Sequence, residues 1–202
     1  MLQAEGGVNL ASKEWMQELQ KLARDLGALL IVDDIQSGCG RTGTYFSFEG
    51  YGIDPDIITL AKGIGGIGTP MAMNLVKPAH DKRWQPGEHT GTFRGNNLAF
   101  VASEVALSYW DNEDLARAVV HKGEIMKGEL ERLADKYGEL EASVRGLGMV
   151  WGLELPQPGE TENRVEVRVS GQNFRSGSTV GFRVVSGSGV SVEAGSARFV
   201  SC

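Results

Sequence analysis

Cysteine is scarce in this sequence of 202 residues. The two cysteines, Cys39 and Cys202, lie far apart, and neither belongs to a Cys-x-x-Cys or Cys/His ligand pattern. Disulfide-stapled domains and zinc sites both depend on clustered or regularly spaced cysteines. The sequence therefore predicts neither a disulfide framework nor a metal site.

Positive charge is in deficit. The chain has 20 Lys and Arg residues against 26 Asp and Glu residues, for a net charge of -6. Proteins that bind nucleic acid usually present a basic patch or stripe to the phosphates, and no such stripe stands out here. We therefore expect no nucleic-acid partner.

Long hydrophobic runs are missing too. No stretch approaches the roughly 20 apolar residues that a membrane-spanning helix needs. The N-terminal sequence "MLQAEGGVNL" lacks the charged and then apolar regions of a secretory signal. These features predict a cytoplasmic location and no membrane partner.

The most informative stretch is "LLIVDDIQSGCGRTG". The apolar run at residues 28–32 does not alternate with polar residues, which predicts a strand covered on both faces, as in a parallel sheet. Asp33 and Asp34 follow at the carboxyl end, where parallel sheets bind ligands. A buried carboxylate there needs a positive partner. The alternative is that one aspartate caps the following loop while the other faces water.

Helices and strands alternate along most of the chain. "SKEWMQELQKLARDLG" predicts an amphipathic helix with Ser12 as its N-cap and Gly27 as its stop. Strands are predicted in "IITL", "PMAMNLV" and "MVWGLEL", and helices from Asn96 onward and across the apolar positions between residues 115 and 137. This alternation predicts an α/β fold as far as Leu155.

Asp33 and Lys62 each follow an apolar strand run, so we expect them on the same rim of the sheet. A carboxylate and an amine placed together suit a pyridoxal phosphate site. The lysine forms a Schiff base with the cofactor aldehyde, and the aspartate keeps the pyridine nitrogen protonated. The alternative is a solvated lysine, which is common near strand ends.

Residues 3–158 resemble the class III, ornithine-type aminotransferases of the fold-type I pyridoxal phosphate enzymes. "LLIVDDIQSGCGRTG" is similar to their strand and glycine loop, "PDIITLAKGIGGIGTPMA" to their lysine segment, and "GEHTGTFRGNN" to their phosphate-binding loop. The resemblance implies an α/β large domain with a mostly parallel sheet flanked by helices, and a homodimer or higher homo-oligomer.

The same resemblance implies a role for five residues. Lys62 takes the place of the Schiff-base lysine, Asp33 pairs with the pyridinium nitrogen, and Gln36 lies near the phenolic oxygen of the ring. Thr92 reaches the phosphate of the cofactor in the neighbouring subunit. Glu5, in "QAEGG", is the glutamate that pairs with a switchable arginine when glutamate and 2-oxoglutarate exchange.

Within this family, "DDIQSGCGRTG", "FSFEG" and "PGEHTGTFRGNNLAFVA" look most similar to the diaminobutyrate:2-oxoglutarate transaminases of ectoine biosynthesis. The resemblance implies an amino donor, L-glutamate, and an aldehyde acceptor, L-aspartate 4-semialdehyde, with L-2,4-diaminobutyrate and 2-oxoglutarate as products. The alternatives are another class III omega-aminotransferase and a noncatalytic, truncated fragment of such an enzyme.

"GIGGIG", at residues 63–68, matches the G-x-G-x-x-G dinucleotide fingerprint. That fingerprint requires a helix to begin directly after the glycines. Here "TPMAMNLV" follows, with a proline and a strand-like run. We therefore expect a tight turn beside the cofactor rather than a dinucleotide site.

Three segments are predicted: part of the cofactor-binding large domain at residues 1–110, the start of a small C-terminal domain at residues 111–158, and an atypical tail at residues 159–202. The tail has no Leu, Ile or Lys, and its Val-rich alternations could at most pair as ragged strands. We expect this tail to be disordered or frameshifted. The resemblance also implies that the chain is truncated at both ends relative to the family.

Overall fold

The computed structural model describes residues 1–88, 90–92, 94–138 and 141–155, together with the backbone of residues 179–185 and 191–198. Its helices and longer strands follow the predicted alternation closely. In chain order the elements are β1 (Leu2–Gln3), β2 (Asn9–Leu10), α1 (Lys13–Asp25), β3 (Ile31–Asp33), β4 (Ile57–Ala61), β5 (Ala72–Val76), α2 (Pro78–Asp81), α3 (Asn97–Ser108), α4 (Asp114–Lys136), β6 (Ser143–Leu147), β7 (Val150–Glu154), β8 (Thr179–Val185) and β9 (Ser191–Arg198).

Helix α1 begins and ends where its sequence signals predict. The Ser12 hydroxyl accepts a hydrogen bond from the Trp15 backbone N–H at 3.1 Å, which satisfies one of the donors at the open end of the helix. Gly27 follows the helix in the left-handed region, with φ +65°, a conformation that a residue without a Cβ adopts cheaply. Met16, on the inner face of α1, is 3 % exposed.

The central sheet has the order β3–β4–β5. β3 and β4 are parallel, with Ile31 opposite Ile57 and Asp33 opposite Thr59. β5 is antiparallel to β4. Because β3 and β4 run in the same direction, the residues that follow them, including Lys62, lie at one edge of the sheet.

A hydrophobic core covers one face of this sheet. Val32, from the centre of β3, is 1 % exposed and packs with residues of α1 and of the loop before β4. Ile31, on the opposite face of the same strand, is 56 % exposed. The prediction of a strand covered on both faces is therefore wrong for the described chain. The strand is also shorter than predicted, because it begins at Ile31 and residues 28–30 precede it.

Two compact units divide the chain. One comprises Met1–Met126 with Gly146–Val150, and the other comprises Lys127–Arg145 with Trp151–Cys202. The central sheet, α1 and α3 all belong to the first unit. The predicted domain boundary after residue 110 stays a prediction. None of the helices among the described residues combines the length and the apolar character that crossing a membrane requires.

Most of the predicted tail, residues 159–202, lies outside the described residues. Within it the backbone forms β8 and β9, which pair antiparallel with a shift of register between Gly181 and Phe182. The predicted disorder or frameshift of the tail therefore stays a prediction.

Candidate active site

Lys62 lies where β4 ends. The strand stops at Ala61, and Lys62 opens a short 3-10 helix, Lys62–Gly65, which we call the Lys62 turn. The backbone of Lys62 is left-handed, with φ +54°. That conformation costs a residue with a side chain about 1–2 kcal/mol. Such strain persists only where the surrounding structure fixes it, and it is commonest at functional sites.

The two aspartates after β3 separate into different environments. Asp34 is 0 % exposed, and its carboxylate accepts hydrogen bonds from the Ser37 hydroxyl at 2.8 Å and from the Ser47 N–H at 2.9 Å. Asp33 is exposed and accepts a bond from the Ile35 N–H at 3.1 Å. The geometry therefore matches the alternative in which one aspartate caps the loop and the other faces water. Asp34 accepts its two bonds from neutral donors.

The glycine loop, residues 38–43, is packed too closely to carry side chains at two of its positions. A Cβ at Gly38 would lie 2.7 Å from the Asp34 carboxylate, and one at Gly40 would meet the Trp110 ring. Cys39, between them, is left-handed at φ +52°. Burial raises the pKa of the Cys39 thiol, and burial together with Cys39 raises the pKa of Tyr45 to about 12. Both groups therefore remain protonated near neutral pH.

A cavity of about 870 Å³ brings four of the five predicted site residues together. We call it the site cavity; Asp33, Gln36, Lys62 and Glu5 all contribute to its lining. Trp15 and Met16 of α1 form part of its apolar wall. A carboxylate, an amide and an amine thus face one space at the carboxyl edge of the sheet, where ligands of such sheets bind.

The hairpin formed by β1 and β2 places Glu5 at this cavity. Glu5 lies in the turn between the two strands, and the Asn9 amide spans that turn by donating to Gln3 Oε1 and to the Gly6 carbonyl, each at 3.0 Å. Two-residue strands give little local signal, so sequence patterns missed this hairpin. The motif around Glu5 carried the prediction instead.

Lys62 also borders a second cavity, of about 510 Å³, together with residues 68–72. The lysine therefore stands between two open spaces. Thr92 is exposed and does not contribute to the lining of these two cavities. Its predicted contact with the cofactor of a neighbouring subunit stays a prediction.

Helix α3 supports the Lys62 turn from behind, and sequence patterns missed this contact. Ile64 of the turn is 4 % exposed, and it lies against a stretch of the helix where Ala99 and Ser103 are buried. The Ser103 hydroxyl lies 2.5 Å from the Ile64 carbonyl oxygen. A signal was available, since small residues recur at spacings of three and four along one face of this helix and leave room for a close neighbour. They are Ala99, Ala102, Ser103 and Ala106.

The glycines after Lys62 lead into a strand and not into an α-helix. Gly66 and Gly68 have positive φ angles, and the chain continues through a turn into β5. The expectation that "GIGGIG" is a tight turn rather than a dinucleotide fingerprint is confirmed.

Comparison with protein families gives a match to the description "Aminotransferase class-III" over residues 1–184. This match extends beyond the predicted limit of the resemblance at residue 158. A curated relative from Sporosarcina pasteurii, a diaminobutyrate--2-oxoglutarate transaminase, is 55 % identical over 152 residues, which are 75 % of this chain and 35 % of the relative. A relative of the same name from Wolinella succinogenes is 56 % identical over 158 residues, 78 % of this chain and 36 % of the relative.

A solved structure of taurine:2-oxoglutarate aminotransferase from Bifidobacterium kashiwanohense, in complex with PLP and glutamate, superimposes with a TM-score of 0.68 at 26 % identity. The match covers 74 % of this chain and 34 % of that protein. The chain thus spans about a third of the length of the proteins it matches.

Proposed function

This chain belongs to the class III aminotransferase family, and from that premise we propose that it carries the cofactor site of a pyridoxal phosphate-dependent transaminase. The predicted family and the predicted α/β fold of the fold-type I enzymes are confirmed. The observation that carries the proposal is the shared placement of Asp33, Gln36 and Lys62 around one cavity.

The residues around the site cavity fit this cofactor chemically. Its volume of about 870 Å³ falls within the range of about 300–1,000 Å³ that is usual for small-molecule sites. An exposed carboxylate at Asp33 can meet a protonated ring nitrogen, and an exposed amine at Lys62 can react with an aldehyde. The carboxylate and the amine therefore match the ring nitrogen and the aldehyde of pyridoxal phosphate.

When bound, pyridoxal phosphate supplies an electron sink for carbanion chemistry. Asp33 would hold a proton on the pyridine nitrogen, and the Gln36 amide would donate a hydrogen bond to the phenolic oxygen. Lys62 would hold the cofactor covalently and, once released, its Nζ would take the proton from the amino-bearing carbon of the substrate. Thr92 would bind the phosphate in a neighbouring subunit, and Glu5 would pair with a switchable arginine.

The proposed reaction moves the amino group of L-glutamate to L-aspartate 4-semialdehyde, giving L-2,4-diaminobutyrate and 2-oxoglutarate. Two diaminobutyrate transaminases at 55 % and 56 % identity support this choice of substrates. We further propose a role in ectoine biosynthesis, a cytoplasmic location and a homodimeric or larger assembly. The similarity to a taurine:2-oxoglutarate aminotransferase favours a second candidate, a different omega-amino substrate on the same site.

A noncatalytic role for these 202 residues taken alone is favoured by the exposure of apolar surface. Helix α3 leaves Leu98 76 % and Val101 62 % exposed, although apolar area of this extent is normally covered. Catalysis needs its groups held within about 1 Å, since a displacement of that size can cost about a hundredfold in rate. We therefore expect negligible turnover from the 202-residue chain.

The test measures glutamate-dependent formation of diaminobutyrate from aspartate semialdehyde. The 202-residue chain is compared with the same chain joined to the additional segments of a full-length relative. We expect turnover only from the joined protein, and loss of that turnover in its Lys62→Ala variant. Retained turnover in that variant would refute the proposed site, while turnover with another omega-amino substrate alone would favour the second candidate.

A further inference from the structure

The left-handed backbone of Lys62 requires a support that holds the Lys62 turn in place. Its φ of +54° is unfavourable for a residue with a Cβ, so the free turn would relax toward an ordinary conformation. Whatever prevents that relaxation also sets the position of the Lys62 amine.

Two glycines of the segment approach neighbouring backbone and side chains closely. A Cβ at Gly66 would lie 2.7 Å from the Ala102 carbonyl oxygen of α3, and one at Gly63 would lie 2.9 Å from the Cβ of Cys39 in the glycine loop. The turn is therefore confined between α3 and the loop that follows Asp33. Steric confinement of this kind limits movement inward but does not prevent the turn from lifting away.

The Ser103 hydroxyl supplies the directional contact. The residue is 4 % exposed, and its Oγ lies 2.5 Å from the Ile64 carbonyl oxygen, 2.7 Å from the Ala99 carbonyl oxygen and 2.7 Å from Met71 Sδ. One hydroxyl has one proton to donate. Donated to Ile64, that proton pairs a buried carbonyl of the turn; donated to Ala99, it makes only a bond within the helix.

We propose that Ser103 is a positioning residue for Lys62. Its hydroxyl donates a hydrogen bond to the Ile64 carbonyl and thereby holds the Lys62 amine in the reactive orientation. This role rests on the proposed function, because it assumes that Lys62 reacts with the cofactor aldehyde. Ser103 also links the Lys62 turn to α3, the helix that begins five residues after Thr92. The helix that supports the Lys62 turn is therefore also the helix that follows the predicted phosphate-binding loop.

The test follows how readily Lys62 reacts with pyridoxal phosphate in the 202-residue chain. Lys62 Nζ attacks the aldehyde carbon, water leaves, and borohydride then reduces the C=N bond to a stable amine. Peptide mapping gives the labelling of Lys62 and, as an internal reference, that of Lys77, which lies at the opposite edge of the sheet. Circular dichroism spectra confirm that each variant is folded.

Four variants separate the turn contact from the bond within the helix. Ser103→Ala and Ser103→Cys both remove the hydroxyl donor. The thiol of Ser103→Cys is nearly isosteric with the hydroxyl, so this variant should keep the packing of the native fold. Ser103→Thr keeps the hydroxyl. Ser108→Ala is the matched control, because the Ser108 hydroxyl bonds to the Val105 carbonyl of the same helix at 2.7 Å and its residue is exposed.

We expect Ser103→Ala and Ser103→Cys to lower Lys62 labelling about tenfold, the usual effect of leaving a buried polar group unpaired. Lys77 labelling should not change, Ser103→Thr should recover most of the loss, and Ser108→Ala should match the wild type. Wild-type labelling of Lys62 in Ser103→Ala, or an equal loss at Lys62 and Lys77, would overturn the positioning role. A wild-type chain labelled no more at Lys62 than at Lys77 would instead overturn the proposed function, and the positioning role with it.

Discussion

The two edges of the central sheet carry the same residue types in opposite circumstances. At the carboxyl edge of β3 and β4, Asp33 and Lys62 are both exposed and line the site cavity. At the other edge, Asp56 accepts bonds from the Leu30 N–H at 2.9 Å and from His80 Nε2 at 3.2 Å, and Lys77 Nζ lies 3.6 Å from its carboxylate.

The two edges differ in whether their polar side chains are already bonded within the protein. Asp56 is bonded to the Leu30 N–H and to His80, which joins β3, β4 and α2. Lys77 Nζ is bonded to Asp54. The Leu30 N–H bond lowers the pKa of Asp56 most, and His80 and Lys77 lower it further. Asp33 and Lys62 instead face open volume, which leaves their polar atoms able to meet a ligand.

Replacing one lysine at each edge should give the largest difference in reaction with pyridoxal phosphate. Lys62→Ala should abolish the absorbance of the cofactor–lysine adduct, because Lys62 is the one lysine among the described residues that line the site cavity. Lys77→Ala should leave that absorbance at the wild-type level. Absorbance spectra of the chains mixed with pyridoxal phosphate provide the measurement. Equal loss in the two variants would show that the edges do not differ in function.

The next largest effect separates the adjacent aspartates. Asp33→Asn should lower cofactor binding about tenfold or more, since a charge-assisted hydrogen bond contributes about 1.5–3 kcal/mol, and should leave stability within about 0.5 kcal/mol of the wild type. Asp34→Asn should destabilise the fold by about 1–3 kcal/mol, because its amide group would face the Ser37 or Ser47 donor. Cofactor titration and urea unfolding together measure both effects, and a stability loss larger in Asp33→Asn would reverse the assignment.

Acidification should reduce the stability that Asp56 contributes at its edge of the sheet. The folded-state pKa of Asp56 is lowered, so its stabilising contribution is complete above the unfolded-state pKa of about 3.9. That contribution disappears as the pH falls through the lower folded-state pKa. Urea unfolding should show Asp56→Asn less stable than the wild type by about 1 kcal/mol at pH 7, with a smaller gap near pH 3. A gap that does not shrink would mean that the charge of Asp56 is not what stabilises this edge.

The smallest expected effect is on stability in Lys77→Ala. Lys77 Nζ bonds to Asp54 Oδ2 at 2.7 Å, but the Asp54 side chain is 70 % exposed. Ion pairs in water contribute about 0–1 kcal/mol, so the free energy of unfolding should fall by less than about 1 kcal/mol, and less still in 0.5 M salt. A loss above 2 kcal/mol would show that this edge depends on Lys77 far more than its exposure indicates.

Much of the local structure follows from the sequence. Ser12 and Gly27 mark the ends of α1, and apolar runs predict β4 and β5, because capping and hydrophobic periodicity act over a few residues. The order of strand, acid and glycine loop predicts Asp33 at the carboxyl edge. The motif around Lys62 predicts the Schiff-base lysine, and that role stays a prediction.

Other features depend on segments that are distant in the chain. The burial of Asp34 and the exposure of Asp33 result from the loop folding back until the Ser47 N–H reaches the carboxylate, and the composition of "DD" cannot distinguish the two. Likewise "DPD" and "VKPAH" do not reveal that Asp56, Lys77 and His80 meet, because Lys77 lies 21 positions after Asp56 in the chain.

Sequence patterns alone located α1, β4 and β5 and the motifs at the ends of β3 and β4, since propensity, capping and periodicity are local. Tertiary packing sets three further features: the exposure of Ile31, the left-handed backbone of Lys62, and the contact of Ser103 with the Ile64 carbonyl 39 residues away. Those outcomes depend on how close packing brings α3 and the glycine loop against one turn, and no stretch of neighbouring residues encodes that approach.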